Sequence, residues 1–392
     1  MALLEVKDLK VHFKTEDGIV KAVDGISYSV ESGRALGIVG ESGSGKSVSS
    51  LTVMGLTRFS GNAEIKGSIV FDGKELLTAS DEDMRRLRGN DIAMIFQDPL
   101  SSLHPFYKIG DQLVEAIRAH RDVSRAQAMD RAVEMLALVG LPEPRKRVDA
   151  YPHEFSGGMR QRVMIAMALV NDPKLLIADE PTTALDVTVQ AQILELIQRL
   201  QSELDTAIVM ITHDLGVVAQ VTDDIAVMYA GRVVEFAHKE AIFAAPEHPY
   251  TWGLLKSIPR LDSPRGEELV PIPGRPPSLI QTPPGCSFNP RCPYARPSHR
   301  RIDPQLAPAA DGDGRGDHLV ACLLPPVTRR NLWSALQSGA KPADAIERVH
   351  VPDDAIDRRA VGDDVAPPST AGSPAAAEAP LGNAAPERNP KP

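Results

Sequence analysis

Hydrophobic and polar side chains alternate over short stretches in the first 75 residues, and turns separate these stretches. Residues 4–9 and 26–30 both alternate, which is typical of strands with one buried face. Residues 35–39 are mostly apolar without alternation, as is expected of a parallel strand that is buried on both faces. The chain is therefore predicted to begin with antiparallel strands beside a buried parallel strand.

The middle of the chain has the pattern of an α/β fold. Residues 98–172 are mostly helical in pattern, which predicts an inserted helical subdomain. Two apolar runs, 175–178 and 207–211, flank a helical stretch at 187–204, and this order makes a β-α-β unit. Residues 225–236 predict a last pair of strands. We expect an α/β core with an antiparallel β subdomain.

Proline divides the chain into two parts. Of 33 prolines, 9 lie in residues 1–258 and 24 in the remainder, which also holds all three cysteines. Proline is excluded from helix interiors and central strands. We expect a folded domain at 1–258 and a small cysteine-containing element at 259–330. Residues 331–392 are predicted to be a disordered Ala/Pro-rich tail, because they bury too little to offset their ordering entropy.

Charge and hydropathy narrow the class of protein. The net charge of −9 argues against nucleic-acid binding, which favours a basic face. No apolar run reaches 18 residues, and Glu5 and Lys7 come too early for a secretory signal. We expect a cytosolic chain that reaches a membrane through a partner.

A glycine-rich loop follows the apolar run at 35–39 and precedes a predicted helix. It matches G-x-x-x-x-G-K-[ST], the P-loop pattern, whose backbone N–H groups bind phosphates. Lys46 would bridge the β- and γ-phosphates, and the Ser47 hydroxyl would coordinate Mg²⁺. The residues expected to contact the nucleotide phosphates are Gly40, Ser42, Gly43, Gly45, Lys46 and Ser47.

Two further patterns suit phosphate chemistry. Asp179 and Glu180 end an apolar run, where one carboxylate suits a Mg²⁺ site and the other suits polarising a water; the alternative is a polar pair that opens the next turn. Ser156, Gly157 and Gly158 begin a helix, and such a helix start binds anions. Two such helix starts indicate a nucleotide held between two subunits.

In this order, the motifs over about residues 3–255 resemble those of the ATP-binding cassette (ABC) ATPases. Gln97 resembles the Q-loop glutamine, Ser156 begins the signature, Asp186 lies in the D-loop, and His213 resembles the switch histidine. The resemblance implies a P-loop NTPase fold of the ABC type. It also implies that two cassettes close head to tail on two ATP molecules, each site taking its signature from the partner.

The resemblance also implies roles for single residues. Glu180 would be the general base, His213 would bind the γ-phosphate, and Gln97 would sense Mg²⁺ and couple to a membrane partner. Asp179 would hold Mg²⁺. Phe13 is a candidate for stacking on adenine, and core packing is its alternative.

The region at 246–324 resembles the ATPases of oligopeptide/dipeptide and nickel permeases, on residues 248–251, 273–277 and 284–295. This implies an importer with two transmembrane permease subunits, a second ABC ATPase (identical or paralogous) and an extracytoplasmic peptide-binding protein. The chain would lie at the cytoplasmic face of the membrane. Alternatives are nickel or another small solute as substrate, a soluble ABC ATPase, and a P-loop kinase, which the helix start at residue 156 disfavours.

Some members of that family carry four cysteines here and bind an iron–sulfur cluster. Cys286, Cys292 and Cys322 are present, and His299 stands where the third cysteine would fall. Three thiolates and an imidazole can hold a [4Fe–4S] cluster, or Zn²⁺ as Cys₃His. The alternatives left open are three reduced cysteines without a metal, and His318 as a further ligand.

An apolar cluster follows Gln97 directly, at residues 101–107. Leu103, Phe106 and Tyr107 belong to it. We expect it either to dock on a membrane partner or to pack internally.

Overall fold

The alternating N-terminal stretches form an antiparallel sheet. This computed structural model describes residues 2–97, 102–183, 185–258, 271–309, 318–353 and 355–361. Within them, strand β1 pairs with β2 on one side and with β4 on the other, and β4 pairs with β5. The four strands are β1 (Ala2–Thr15), β2 (Gly18–Glu31), β4 (Ala63–Phe71) and β5 (Lys74–Glu75).

The apolar runs form a second, mixed sheet, which has eight strands in the described part of the chain. From one side to the other these are β11 (Ala307–Pro308), β12 (Leu319–Val320), β10 (Arg232–His238), β9 (Asp224–Tyr229), β3 (Ala35–Val39), β8 (Ala207–Thr212), β7 (Leu175–Asp179) and β6 (Ile92–Ile95). Strands β9, β3, β8, β7 and β6 run parallel, and β10, β12 and β11 add antiparallel. The predicted α/β fold with an antiparallel subdomain is confirmed.

Helices connect the strands and build the helical subdomain. Those described up to residue 258 are α1 (Lys46–Val53), α2 (Asp81–Leu87), α3 (Ile109–Arg118), α4 (Arg125–Leu138), α5 (Pro144–Arg147), α6 (Gly157–Leu169), α7 (Val187–Leu204), α8 (Leu215–Val221), α9 (Lys239–Ala244) and α10 (Pro249–Lys256). Helices α3 to α6 form the subdomain inserted between β6 and β7. No helix in the described ranges is both long and apolar enough to span a bilayer.

The central strands pack on both faces. Ile177 and Val209 belong to a core shared with the antiparallel sheet. Their neighbours Leu176 and Met210 belong to a second core, which is shared with α3, α4 and α6 to α8. Side chains on a strand alternate between faces, so a mostly apolar strand serves both cores. This double burial fixes the strand ends that carry the polar residues of the site.

The segment after residue 330 is ordered as far as it is described. It contains α11 (Pro326–Gln337) and α12 (Pro342–Val349). The prediction of a disordered tail from residue 331 is therefore wrong for 331–353 and 355–361, and residues 362–392 lie outside the described part. The helices are stabilised by a third core that includes Trp252, Tyr294, Val320, Leu332, Leu336 and Ala345.

A buried arginine joins this third core to the rest of the protein. The Nε of Arg329 donates to Glu247 Oε2 at 2.6 Å, and its Nη1 donates to the carbonyl of Leu324 at 2.8 Å and to Asp357 at 3.3 Å. Arg329 is fully buried, and a buried charge is tolerated only when it is paired and hydrogen-bonded. The pairing therefore holds the C-terminal segment against the loop between α9 and α10.

Candidate active site

The P-loop connects β3 to α1 and packs tightly against neighbouring backbone. A Cβ atom at Gly40 would lie 2.1 Å from the carbonyl oxygen of Met228, and one at Gly45 would lie 2.1 Å from that of Ala22. Gly45 also has φ of +99°, which glycine adopts without strain. These two glycines are therefore required by space as well as by conformation. Between them, Ser42 and Gly43 are exposed, as a ligand-contacting surface must be.

Lys46 lies at the start of α1 and is nearly buried. Its Nζ donates to the carbonyls of Gly40 at 2.7 Å and Glu41 at 3.0 Å. Burial lowers the pKa of Lys46, and the nearby carboxylates of Glu180 and Asp179 oppose this shift. The ammonium thus lies inside the loop, close enough to the two predicted carboxylates to interact with their charge.

Asp179 ends β7 beside the P-loop. Its Oδ1 is buried and has no hydrogen-bond partner among the described residues. Burial raises the pKa of Asp179, and a hydrogen bond from the Ser47 hydroxyl opposes the rise. A buried carboxylate oxygen without a partner is costly unless something satisfies it. Carboxylate and hydroxyl oxygens are ligands that Mg²⁺ prefers, so this pair fits the predicted Mg²⁺ site.

Glu180 is the point where three chain segments meet. Gln97 Nε2 donates to Glu180 Oε2 at 2.9 Å, as does the Thr183 hydroxyl, also at 2.9 Å. His213 Nδ1 lies 3.3 Å from Glu180 Oε1. These residues follow β6, β7 and β8, and parallel strands bring their carboxyl ends to one edge of the sheet. The structure therefore brings Gln97, Glu180 and His213 together.

The backbone conformation and the ionised state of Glu180 are both consistent with the role of a general base. Its φ of +47° lies in the left-handed region, a conformation that costs free energy and is found at functional sites. Burial raises the pKa of Glu180, but hydrogen bonds from Thr183 and His213 outweigh it, and the net pKa is lowered. The carboxylate is therefore ionised at neutral pH and able to accept a proton or orient a water.

The predicted signature and D-loop residues lie outside this group. Ser156 is exposed and caps α6, accepting a hydrogen bond from Met159 N at 3.4 Å. Gly157 and Gly158 follow in the first turn, and a Cβ on Gly158 would lie 2.9 Å from Val189.

Asp186 caps α7 through a hydrogen bond from Val189 N at 3.0 Å; its neighbour Ala184 lies outside the described residues. Phe13 is half-buried and packs against the core shared by the two sheets. The roles of Ser156, Asp186 and Phe13 toward a nucleotide stay predictions.

Sequence reasoning missed the residues that support the site. No pattern marks Thr183, although it follows Glu180 by three residues and donates to its carboxylate. Tyr250 accepts a hydrogen bond from the backbone N–H of Glu41 at 2.9 Å, and Arg291 pairs with the Glu41 carboxylate at 2.6 Å. The two last residues lie more than 200 positions from the P-loop, so no local pattern could connect them to it.

The cysteine region is a buried interior. Cys322 is buried, and Cys286 and Cys292 are half-buried. Burial raises the pKa of all three thiols, and the neighbouring thiols raise those of Cys286 and Cys292 further, to about 12 for Cys286. The three cysteines thus lie in buried settings that favour neutral thiols.

The structure does not support the predicted iron–sulfur or zinc site. Across the described residues, no group of three or more His, Cys, Asp or Glu side chains is arranged to hold a metal ion. His299 is buried, its Nε2 has no hydrogen-bond partner in that set, and burial lowers its pKa to about 4. His318, the other candidate ligand, instead contacts Glu235 Oε1 at 2.8 Å.

The parallel sheet, the P-loop and the meeting of Gln97, Asp179, Glu180 and His213 at one edge define an ABC-type nucleotide-binding domain. A family model described as "ABC transporter" matches residues 23–183. A second, "Oligopeptide/dipeptide transporter, C-terminal region", matches residues 234–298.

Curated relatives are similar over most of the chain. The oligopeptide transport ATP-binding protein OppD of Escherichia coli (strain K12) is 55% identical over 294 residues, covering 75% of this chain and 86% of the relative. The dipeptide transport ATP-binding protein DppD of the same organism is 52% identical over 312 residues, covering 80% and 95%. The chain therefore belongs to the oligopeptide and dipeptide transport ATP-binding proteins, a family of ABC ATPases that use ATP and Mg²⁺.

Solved structures agree on the fold. A dimeric, post-hydrolysis ATP-binding cassette bound to ADP and Pi has a TM-score of 0.53 and 26% identity, covering 60% of this chain and 98% of that one. An ABC transporter component, cbiO1 from Clostridium perfringens, also has a TM-score of 0.53, with 29% identity and coverage of 62% and 91%. Both likenesses leave much of this chain uncovered.

Proposed function

We propose that this chain hydrolyses ATP in a cassette dimer to drive the uptake of oligopeptides or dipeptides across the cytoplasmic membrane. The observation that carries the proposal is the convergence of Gln97 and His213 on Glu180, beside Lys46 and Asp179. The names of the relatives supply the substrate class.

The chain's own groups have distinct tasks in hydrolysis. Lys46 would exchange the carbonyls that it contacts for phosphate oxygens. Asp179 and Ser47 would hold Mg²⁺, which neutralises developing charge on the phosphates. Glu180 would take a proton from the attacking water or orient it, and His213 would reach the γ-phosphate. Gln97 would couple the state of this site to the membrane partner, since its side chain donates a hydrogen bond to Glu180.

A second cassette would complete each site. Ser156 and Gly157 are exposed, and the Ser156 hydroxyl accepts its hydrogen bond from Met159 N, within the first turn of α6. They are therefore available to a nucleotide bound by another subunit, either an identical chain or a paralogue.

A groove beside the Q-loop suits a permease subunit. It has a volume of about 510 Å³ and is lined by Met94, Phe96, Met164 and Met167 among others; flexible methionines suit protein contacts. The apolar cluster predicted at residues 101–107 has both buried and exposed members. Leu103 is buried in the core, whereas Phe106 and Tyr107 are exposed. Docking of one permease subunit at this face of each cassette would hold the dimer at the cytoplasmic face of the membrane.

Uptake in cells tests the proposal directly. Cells that lack this chain should lose uptake of a labelled dipeptide or tripeptide, and the wild-type chain should restore it. The Lys46→Ala variant should be expressed and fail to restore it. Pull-down from membranes should recover two membrane proteins, a second ATPase unless the dimer is of identical chains, and an extracytoplasmic binding protein.

Three results would contradict parts of this proposal. Unchanged peptide uptake with lost nickel uptake would move the substrate to a metal ion. Absence of any membrane protein from the pull-down would favour a soluble ABC ATPase. Full restoration by Lys46→Ala would remove ATP hydrolysis from the mechanism.

The metal prediction at Cys286, Cys292, His299 and Cys322 rests on the family resemblance and on the ligand types. Iron, sulfide and zinc analysis of the purified protein decides it. Stoichiometric iron with absorbance near 400 nm would establish a cluster, stoichiometric zinc would establish a Cys₃His site, and neither metal would leave three structural thiols.

A further inference from the structure

The cysteine-containing element reaches into the P-loop through one ion pair. Arg291 Nη1 donates to Glu41 Oε2 at 2.6 Å, and Nη2 donates to Glu41 Oε1 at 3.0 Å. Glu41 is the second residue of the P-loop, and the arginine lies 250 positions further along the chain. Two parallel hydrogen bonds between guanidinium and carboxylate fix both distance and orientation.

Arg291 is held rigidly on its own side. Its side chain is 4% exposed, its Nε donates to the carbonyl of Pro273 at 2.8 Å, and its guanidinium lies 5.7 Å from the ring centre of Tyr229. Burial lowers the pKa of Arg291, but the hydrogen bond to Glu41 outweighs it and the net pKa is raised. The arginine is thus a fixed, fully charged group.

Glu41 also contacts Lys46, the predicted phosphate-binding residue. Its carbonyl accepts a hydrogen bond from Lys46 Nζ at 3.0 Å, and its N–H donates to the Tyr250 hydroxyl at 2.9 Å. Tyr250, Tyr229 and Phe288 pack in tilted and edge-to-face contacts, with ring centres 4.7 to 5.5 Å apart. Side chain and backbone of Glu41 are therefore both fixed by elements outside the P-loop.

We propose that Arg291 is a positioning residue for nucleotide binding, which acts through Glu41. It holds the backbone of the P-loop in place and neutralises a carboxylate that would otherwise repel the negative phosphates. This inference rests on the proposed ATP-binding function. It makes the C-terminal element a determinant of ATP affinity.

The test is a double-mutant cycle on MgATP affinity, measured by calorimetry on the purified full-length chain. Arg291→Met leaves Glu41 unpaired in the loop, and we expect MgATP to bind about tenfold more weakly or worse. Glu41→Gln alone should weaken MgATP binding less than Arg291→Met does, because the amide oxygen still accepts a hydrogen bond from the guanidinium and adds no negative charge beside the phosphates. The double variant, Arg291→Met with Glu41→Gln, should recover most of the affinity because the unpaired charge is gone. Arg291→Lys keeps the positive charge but cannot make the two parallel hydrogen bonds, so its MgATP affinity should lie between those of the wild type and Arg291→Met.

Arg296→Met is the matched control. Arg296 belongs to the same element and donates to the carbonyls of Ala295 and Val351, so its loss should lower the melting temperature without changing MgATP affinity. If Arg291 has only a structural role, Arg291→Met should likewise lower the melting temperature and leave MgATP affinity unchanged, and that result overturns the inference. A loss of MgATP affinity in Arg291→Met that Glu41→Gln does not restore overturns it too. If the Arg291→Met chain does not fold, Arg291→Lys with wild-type affinity overturns it as well. Failure of the wild-type chain to bind MgATP would instead contradict the proposed function.

Discussion

The P-loop edge of the central sheet and the cysteine-containing element both carry residue types suited to chemistry, yet they use them in opposite ways. At the sheet edge, Asp179 keeps a buried oxygen without a partner among the described residues, and Glu180 is ionised. In the element, burial favours neutral thiols, and Arg329 is paired on several sides. At the sheet edge, strand ends and a helix start leave polar groups available to a ligand. In the cysteine-containing element, a small core buries the thiols and the arginine.

The largest expected effect is at the sheet edge. Glu180→Gln should lower ATP turnover by about 100-fold or more, because the amide cannot accept a proton, while MgATP binding persists. Phosphate release and calorimetry measure the two quantities. Glu203→Gln on α7, whose side chain is 46% exposed beside Arg199, serves as the control and should turn over normally. Near-normal turnover in Glu180→Gln would remove Glu180 from the base role.

The C-terminal core should respond in stability. Leu332 is fully buried on α11, and Leu332→Ala should cost about 2–5 kcal/mol of the free energy of unfolding of that region. Hydrogen exchange of α11 and α12 measures the local loss. Val327→Ala, at a position 60% exposed on the same helix, should change little. Equal protection in both variants would mean that the third core does not stabilise these helices.

The comparison also predicts acid sensitivity, through His248 at the start of α10 and His299 in the cysteine-containing element. Burial lowers the pKa of His248 and of His299 from 6.5 to about 4; Glu235 opposes the shift at His248, and Arg296 adds to it at His299. The unfolded chain therefore binds more protons between about pH 6.5 and 4, so stability is full above this window and falls as pH falls through it. Each histidine should contribute up to about 3 kcal/mol to this loss.

Denaturant unfolding across pH 7.5 to 4 checks this expectation. His248→Asn keeps a capping acceptor at the start of α10 and removes one titrating group. Its stability should therefore depend less steeply on pH than that of the wild type. Identical slopes in the two proteins would show that His248 does not titrate in this window.

The smallest expected effect on stability comes from removing helix caps, and comparing two caps tests whether Asp186 also takes part in ATP turnover. Asp186→Ala and Ser124→Ala each remove a side-chain cap, from α7 and α4, and each should cost about 1 kcal/mol of stability. Only Asp186 lies in the predicted D-loop, so only Asp186→Ala should also reduce ATP turnover in the dimer. Equal turnover in the two variants would make Asp186 a cap and nothing more.

The nucleotide edge was predictable because local backbone creates it. Apolar runs end in Asp179 and before His213, and parallel strands bring such ends together whatever lies between them. The pairing of Arg291 with Glu41 has no local signal, since it depends on how the C-terminal element folds back over 250 positions. The order after residue 330 was missed because average composition hides Leu332 and Leu336, which are one helical turn apart and meet Trp252.

The central sheet does not stop where the nucleotide motifs stop. Strand β10 pairs with β12 through Glu235 and Phe236, and Ala321 N–H donates to the Val234 carbonyl at 2.8 Å. A chain cut at residue 258 would leave these groups of β10 unpaired and would expose the buried Glu235. An open strand of this kind invites pairing with other chains and aggregation. The smallest soluble unit of this ATPase is thus longer than its nucleotide-binding motifs.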